Sequence, residues 1–293
     1  MVGVNLRTLR SDIAAWLQED LGDGDITTAL TVEPNRLGSA TFLAKEDGVL
    51  CGIDVASEVF KALDAEVEIN FTRQDGDLLV KNQSFGTLHG RLCSILEGER
   101  LALNLLRHLS GISTITKIFV DAITSESTTK ILDTRKTTPG LRYLEKYAVR
   151  IGGGYNHRDG LHEGILIKDN HIKAAGGVSK ALALALEHAP HYLKVEVEVS
   201  TQEELKEALD SNAPAILLDN MNNQEIQDAM ALIQGRAVVE VSGTVTVDRV
   251  RELSTFGVDY ISVGALTHSV KALDLSLDIS NVEDANSSRR FGL

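Results

Sequence analysis

Four cations, two carboxylates and two glycine turns punctuate the second half of this chain. Arg135 and Lys136 follow the apolar run 130–132, His157 and Arg158 lie in a glycine-rich stretch, and Lys168 closes the run 164–167. Glu198, Asp219, Ser242-Gly243 and Gly264 close four later runs. Arginine can hold a carboxylate or phosphate bidentately and lysine adds a point charge, so these cations suit a ligand with more than one anionic group. Glu198 and Asp219 suit Mg²⁺ or ribose hydroxyls, because hard oxygen donors match that ion. Small residues ahead of a helix let backbone amides approach a phosphate. Together they describe a phosphosugar with an acidic co-substrate. No nucleophile–base pair stands out, which favours positioning and charge over covalent catalysis.

The surroundings sharpen that reading. The chain of 293 residues has a formal net charge of −13, yet 133–173 holds eight Lys/Arg against five Asp/Glu. A cationic island in an acidic protein points to a small anionic ligand, and the overall sign argues against general nucleic-acid binding. Cys51 and Cys93 form no CxxC pair, so neither a disulfide scaffold nor a thiolate zinc site is expected. No signal-peptide core opens the sequence and no run of about 18 apolar residues crosses it. A cytoplasmic protein without membrane contact is the expectation.

A strand–helix rhythm must position these residues. Apolar runs at 130–134, 164–168, 194–199, 215–220, 237–243 and 259–264 alternate with helix-like segments at 139–150, 178–188, 201–210, 222–234 and 246–256. Such alternation means a parallel sheet with right-handed crossovers, closed as a β/α barrel or open as a doubly wound sheet. Both place chemistry at the C-terminal ends of the strands. The six ends sort by chemistry: cations on the first two, carboxylates on the next two, small residues on the last two. They therefore read as one site. Glu196 is assigned to the strand face opposite Glu198, and Glu198 could instead pair with a basic residue.

Before residue 112 the signals differ. A helix is expected over 5–18, then an acidic turn at 19–25 whose spacing does not fit a calcium loop and whose Asp25 is free to cap the next segment. Short β-like runs broken by glycines fill 38–90, as in a small α+β domain. A helix over 97–109 carries Arg100 and Arg107 on one face. His157, His162 and His171 lack the HExxH spacing of a zinc site, and the glycines at 152–154 match neither GxGxxG nor a P-loop. The polar tail 281–293 reads as partly disordered.

At these residues the sequence resembles the quinolinate phosphoribosyltransferase family. The carriers include EDLGDGDITT (19–28), GERLALNLLRHLSGIST (98–114), DTRKTTPGLRYLEKYAVRIGGGYNHRDGL (133–161), LIKDNHI (166–172), ILLDN (216–220) and VSGTV (241–245), in family order over nearly the whole chain. The resemblance implies an N-terminal α+β sandwich domain over 1–111 and a six-stranded, incomplete TIM-like β/α barrel over 112–274, with the segment 275–293 packing back on the first. It implies a homodimer with the active site at the interface, the unit from which a hexamer could be built. Arg135, His157, Arg158 and Lys168 would bind the two carboxylates of quinolinate, and Arg100 would reach in from the neighbouring subunit. Lys136 would contact phosphoribosyl pyrophosphate, Glu198 and Asp219 would hold its ribose and the cofactor Mg²⁺, and Ser242, Gly243 and Gly264 would hold phosphate. Lys136, Glu198 and Asp219 would be the catalytic set. The implied products are nicotinate mononucleotide, pyrophosphate and CO₂, in NAD biosynthesis.

Three rivals differ in chemistry. A relative taking nicotinate would need fewer cations, a Schiff base at Lys168 would make an aldolase, and a barrel that only binds an anion would show no turnover. The full cation set and the sorted strand ends speak for the quinolinate reading.

Overall fold

The computed structural model describes residues 4–283. They form two compact units, one of residues up to Thr114 together with those from Val270 onward, the other Ile115–Ser269.

In the first unit, α1 (Leu6–Leu21) buries Leu9, Ile13 and Leu17 at helical spacing, and the side-chain oxygen of Asn5 caps it. The helix runs on through Glu19 and Asp20, where the sequence suggests a turn, and stops at Gly22 with φ +54°. Asp25 caps α2 (Ile26–Thr31) by accepting from the amide and hydroxyl of Thr28. The chain continues through β1 (Leu37–Ala44), β2 (Gly48–Val49), α3 (Ile53–Leu63), β3 (Glu68–Phe71), β4 (Leu78–Leu79), β5 (Ser84–Arg91) and α4 (Leu92–Asp121). Alternate residues of β1 point inward, and Phe42 stacks on Phe71 and Phe85 with ring centroids 5.2 and 5.5 Å apart.

Two helices depart from the sequence reading. α3 has no counterpart in it; the carboxylate of Asp75 accepts from the amides of Gly52 and Ile53 at its start, a cap supplied from 22–23 residues away. α4 extends well beyond the expected 97–109. Its glycines serve close packing rather than helix ends: a Cβ on Gly111 would lie 2.3 Å from the Lys271 carbonyl oxygen, and one on Gly98 would lie 2.8 Å from the Phe60 ring.

The second unit follows the strand–helix rhythm. It comprises β6 (Lys130–Leu132), α5 (Arg142–Ile151), β7 (Ile165–Ile167), α6 (Asp169–Ala175), α7 (Val178–His188), β8 (Val195–Val199), α8 (Gln202–Asp210), β9 (Ala215–Asp219), α9 (Asn223–Ile233), β10 (Val238–Ser242), α10 (Val247–Leu253), β11 (Tyr260–Ser262) and α11 (Ala265–His268). All six strands are parallel, in the order β6-β11-β10-β9-β8-β7. This is an incomplete β/α barrel whose two edges, β6 and β7, are consecutive in sequence. Tyr155 pairs with the free edge of β6, its amide donating to Ile131 O at 2.8 Å and its carbonyl accepting from the Asp133 amide at 3.1 Å.

β12 (Leu275–Val282) then returns to the first unit and pairs antiparallel with β1, Leu277 opposite Phe42, in a sheet of order β12-β1-β5-β3. Arg107 anchors the return, donating to Leu273 O at 3.2 Å and pairing with Asp274 at 3.4 Å. Of the tail read as disordered, Asn281 and Val282 belong to this strand, and residues from 284 lie outside the described ones.

Phe42 is fully buried at the centre of three aromatic contacts. Its truncation in Phe42→Ala should destabilise the first unit by about 3–5 kcal/mol, read from the urea midpoint at unchanged slope.

Candidate active site

The C-terminal ends of the six barrel strands surround one cavity of about 760 Å³. Arg135, Lys136, His157, Arg158, Lys168, Glu198, Asp219, Ser242, Gly243 and Gly264 all line it. Of the residues expected in the site, only Arg100 is outside that lining. It lies on α4 in the first unit, its side chain exposed and 3.9 Å from Glu99.

A buried ion pair shapes the cationic wall. Asp133, one residue past β6, and Lys146, on α5, are both withdrawn from water and meet at 2.6 Å. Asp133 also accepts from the His157 amide at 2.9 Å and from the Asn156 side chain, while Lys146 donates to His157 O at 2.7 Å. Both carboxylate oxygens and the ammonium group thus pin the loop that carries His157 and Arg158. Burial pushes the Asp133 carboxyl upward, and Lys146 opposes it. Arg158 donates to Gly164 O at 2.7 Å. Burial and the positive charge of Arg135 lower its pKa, the sign of two cations facing a common space that an anion would fill.

Lys168 ends β7 and pairs with Glu198 on β8. This is the basic partner that the sequence allows Glu198 as its alternative. Asp219 ends β9, with Ser242 of β10 beside it in register, and accepts from the Asn220 side chain at 2.8 Å. Gly243 has φ +127°, and a Cβ there would stand 2.6 Å from Asn220 Oδ1; a Cβ on Gly264 would stand 3.1 Å from Lys136 Cδ. The next helices along the chain, α10 and α11, are short. Thr267 on α11 donates to Lys136 O at 2.8 Å, which ties the Lys136 loop to the one after the neighbouring strand β11.

The sequence reading misplaces Glu196. Residues two apart on a strand share a face, and the burial of β8 alternates accordingly, with Glu196 and Glu198 both half-buried between fully buried valines. Glu196 therefore points inward with Glu198. Its Oε2 is 3.4 Å from His157 Nε2, and Oε2 of Glu240 approaches the same nitrogen at 3.6 Å. Glu240, inside β10, is missed altogether by sequence reasoning, as is the role of Asp133 and Lys146. Alternation along 238–242 is the available signal, because it turns Glu240 and Ser242 to one side. Burial works against a charged His157 ring, but Glu196 and Glu240 outweigh it and raise its pKa. Burial first, and then the charge of Glu196, push the Glu240 carboxyl up to about 7.

Two family models match the chain: quinolinate phosphoribosyl transferase, N-terminal domain, over residues 25–110, and the C-terminal domain over 112–278. A protein of Bacillus subtilis (strain 168), "Probable nicotinate-nucleotide pyrophosphorylase (carboxylating)", is 44% identical over 277 residues, covering 94% of this chain and 95% of its own. Quinolinate phosphoribosyltransferase (decarboxylating) 1b of Nicotiana tabacum is 44% identical over 92% of this chain and 82% of its own. The crystal structure of NadC from Streptococcus pyogenes superposes with a TM-score of 0.92 at 40% identity, covering 97% of this chain and 100% of that one.

Two measurements test the geometry. Lys146→Met leaves Asp133 buried without its counter-charge and should cost about 3–5 kcal/mol of stability, read by denaturant unfolding. The pH dependence comes from the raised groups. Glu240 binds its proton more tightly folded than unfolded, so its contribution favours folding at pH 4.5 and is lost as pH rises through about 7. The melting temperature should therefore fall as pH rises across that window, and Glu240→Gln should flatten the slope.

Proposed function

The chain belongs to the quinolinate phosphoribosyltransferase family, and from that membership we propose how its cavity serves the family's reaction. The enzyme transfers the phosphoribosyl group of phosphoribosyl pyrophosphate to quinolinate with loss of CO₂, giving nicotinate mononucleotide and pyrophosphate for NAD biosynthesis. The observation that carries the assignment of roles is the meeting of six chemically sorted strand ends in one cavity.

Arg135, Arg158 and Lys168 hold the two carboxylates of quinolinate; His157, expected among them, lines the pocket but turns Nε2 to Glu196 and Glu240. The guanidinium groups bind bidentately and fix the ring so that its nitrogen faces the sugar. Asp133 and Lys146 act on this step only through the loop they hold. Ser242, Gly243 and Gly264 let backbone approach the phosphates, and Lys136 sits over Gly264 to meet the departing pyrophosphate. Glu198 and Asp219 favour the positive charge that grows on the sugar as its bond to pyrophosphate breaks. Their hard oxygen donors, with the amide of Asn220 beside Asp219, fit Mg²⁺ as the cofactor. Bound there with the ribose, Mg²⁺ would neutralise charge on the pyrophosphate. Once the ring nitrogen is quaternary it attracts the electrons left behind by the adjacent carboxylate, and CO₂ departs.

The working form on this reading is a homodimer in which Arg100 completes the acid pocket of the neighbouring subunit; its exposed guanidinium on α4 supports that use. Among the described residues no helix is long and apolar enough to cross a membrane.

Each charge-assisted hydrogen bond contributes about 1.5–3 kcal/mol, so Arg135→Ala or Lys168→Ala should lower kcat/KM for quinolinate by about 10- to 100-fold. The assay follows CO₂ release with phosphoribosyl pyrophosphate and Mg²⁺, and circular dichroism checks the fold. Wild-type turnover in either variant removes that residue from the pocket.

A further inference from the structure

Loss of CO₂ from quinolinate leaves an electron pair on ring carbon 2, and nicotinate mononucleotide carries hydrogen there. A proton must be delivered inside the cavity. The arginines cannot supply it, because a guanidinium keeps its proton in proteins. Lys168 is bound to Glu198, and Lys136 and His268 lie against Gly264, on the phosphate side of the cavity. His157, Glu196 and Glu240 remain, three side chains whose facing atoms lie within 4.8 Å of one another.

Such a trio has the composition of a metal site, but its proton inventory opposes one. The amide of Arg158 donates to His157 Nδ1 at 2.7 Å. The ring proton is therefore on Nε2, the nitrogen that faces both carboxylates, and no lone pair there is free for a metal. A second ring proton would have to displace the Arg158 amide. Two carboxylates sharing one N–H repel each other, and the arrangement is relieved when one of them is protonated. Glu240 is the one withdrawn from water, at 3% exposure, and it lines the cavity. Among the described residues its Oε1 has no hydrogen-bond partner. A buried carboxyl oxygen without a partner, on the wall of a substrate cavity, is free to meet the substrate. The charged and titratable groups facing it are Glu196 from β8, His157 from the loop after Tyr155, and Lys168 from the end of β7, with the Ser262 hydroxyl of β11 beside them.

We propose that Glu240 is the acid that protonates carbon 2 after decarboxylation, an inference that rests on the reaction assigned above. The carbon–carboxylate bond breaks reversibly and leaves its pair on carbon 2; the Glu240 O–H bond then breaks as the carbon–hydrogen bond forms, and without that proton the pair recaptures CO₂. The Glu240 carboxylate takes a proton from solvent before the next turnover, so each cycle consumes one proton. His157, donating through Nε2, steadies the carboxylate in the interval.

The test is single turnover of Glu240→Gln with quinolinate, phosphoribosyl pyrophosphate and Mg²⁺, following pyrophosphate and CO₂ separately. Pyrophosphate should appear at nearly the wild-type rate, while CO₂ and product slow by about 10²–10⁴-fold, the range of a general acid. A carboxylated mononucleotide should accumulate. The wild-type kcat should fall as pH rises past the Glu240 pKa, Glu240→Asp should keep that limb at a lower rate, and Glu240→Gln should lose it. Equal slowing of pyrophosphate and CO₂, or wild-type CO₂ release from Glu240→Gln, would overturn the assignment. So would stoichiometric Zn²⁺ or Mn²⁺ bound by the wild type and lost in the variant. Failure of the parent reaction looks different: the wild type itself would then release no pyrophosphate with quinolinate.

Discussion

The cavity depends on one salt bridge that never touches it. Asp133 and Lys146 are both sealed from water, and taking two charges into a protein interior is unfavourable unless every remaining lone pair and proton finds a partner. Here they do. The carboxylate accepts from Lys146, Asn156 and the His157 amide, and the ammonium donates to Asp133 and to His157 O, with Asp159 a further 3.5 Å contact. The pair is therefore a three-way joint between the end of β6, α5 and the loop after Tyr155. A hydrophobic pair of similar volume could fill the space, but it could not hold the loop's amide and carbonyl in fixed positions. What the ionic version adds is orientation, and three of the four cavity-wall cations, Arg135, Lys136 and Arg158, hang from the segments it joins.

The open barrel is tied to the same joint. β6 and β7 do not pair, so the first crossover is free to run down the gap instead of closing it. Tyr155 takes two hydrogen bonds on the β6 edge and gives the exposed strand a partner for one residue, and the chain then turns inward with His157 and Arg158. A closed barrel would have spent that edge on a β6–β7 ladder and sent the loop elsewhere. The gap is what lets residues from a connection, rather than a strand end, reach the cavity floor.

Legibility in the sequence depends on depth. Strand ends obey a topological rule, and that rule picks out Arg135, Lys168, Glu198, Asp219, Ser242 and Gly264 from the spacing of apolar runs alone. The parallel order and the number of strands come from the same spacing. α3 and the length of α4 are not legible, because their signals are long-range: a cap from Asp75 and a backbone approach from Lys271. The helix expected over 97–109 stops short of Gly111 for the same reason. A glycine chosen for contact and a glycine chosen for a turn are the same letter.

The deeper layer is hidden by a different ambiguity. Glu196 and Glu240 sit inside strands, where a glutamate between valines reads as the solvent side of an alternating pattern. In an antiparallel sheet with one wet face that reading is correct. In a barrel the two faces are helix-covered exterior and lumen, so neither side of the strand is open water. A charged residue at a strand interior must then face the lumen and find company there. Glu196, Glu198, Asp219 and Glu240 stand against Arg135, Lys136, Arg158 and Lys168 around the lumen, a balance that strand ends alone do not reveal. The excess of positive charge in the 133–173 stretch is thus not the charge of the cavity. Much of it answers carboxylates arriving from β8 to β10. Arg135 and Arg158 hold fixed positions on the cavity wall, as the proposed binding of an anion requires, and burial and the charge of Arg135 lower the pKa of Arg158.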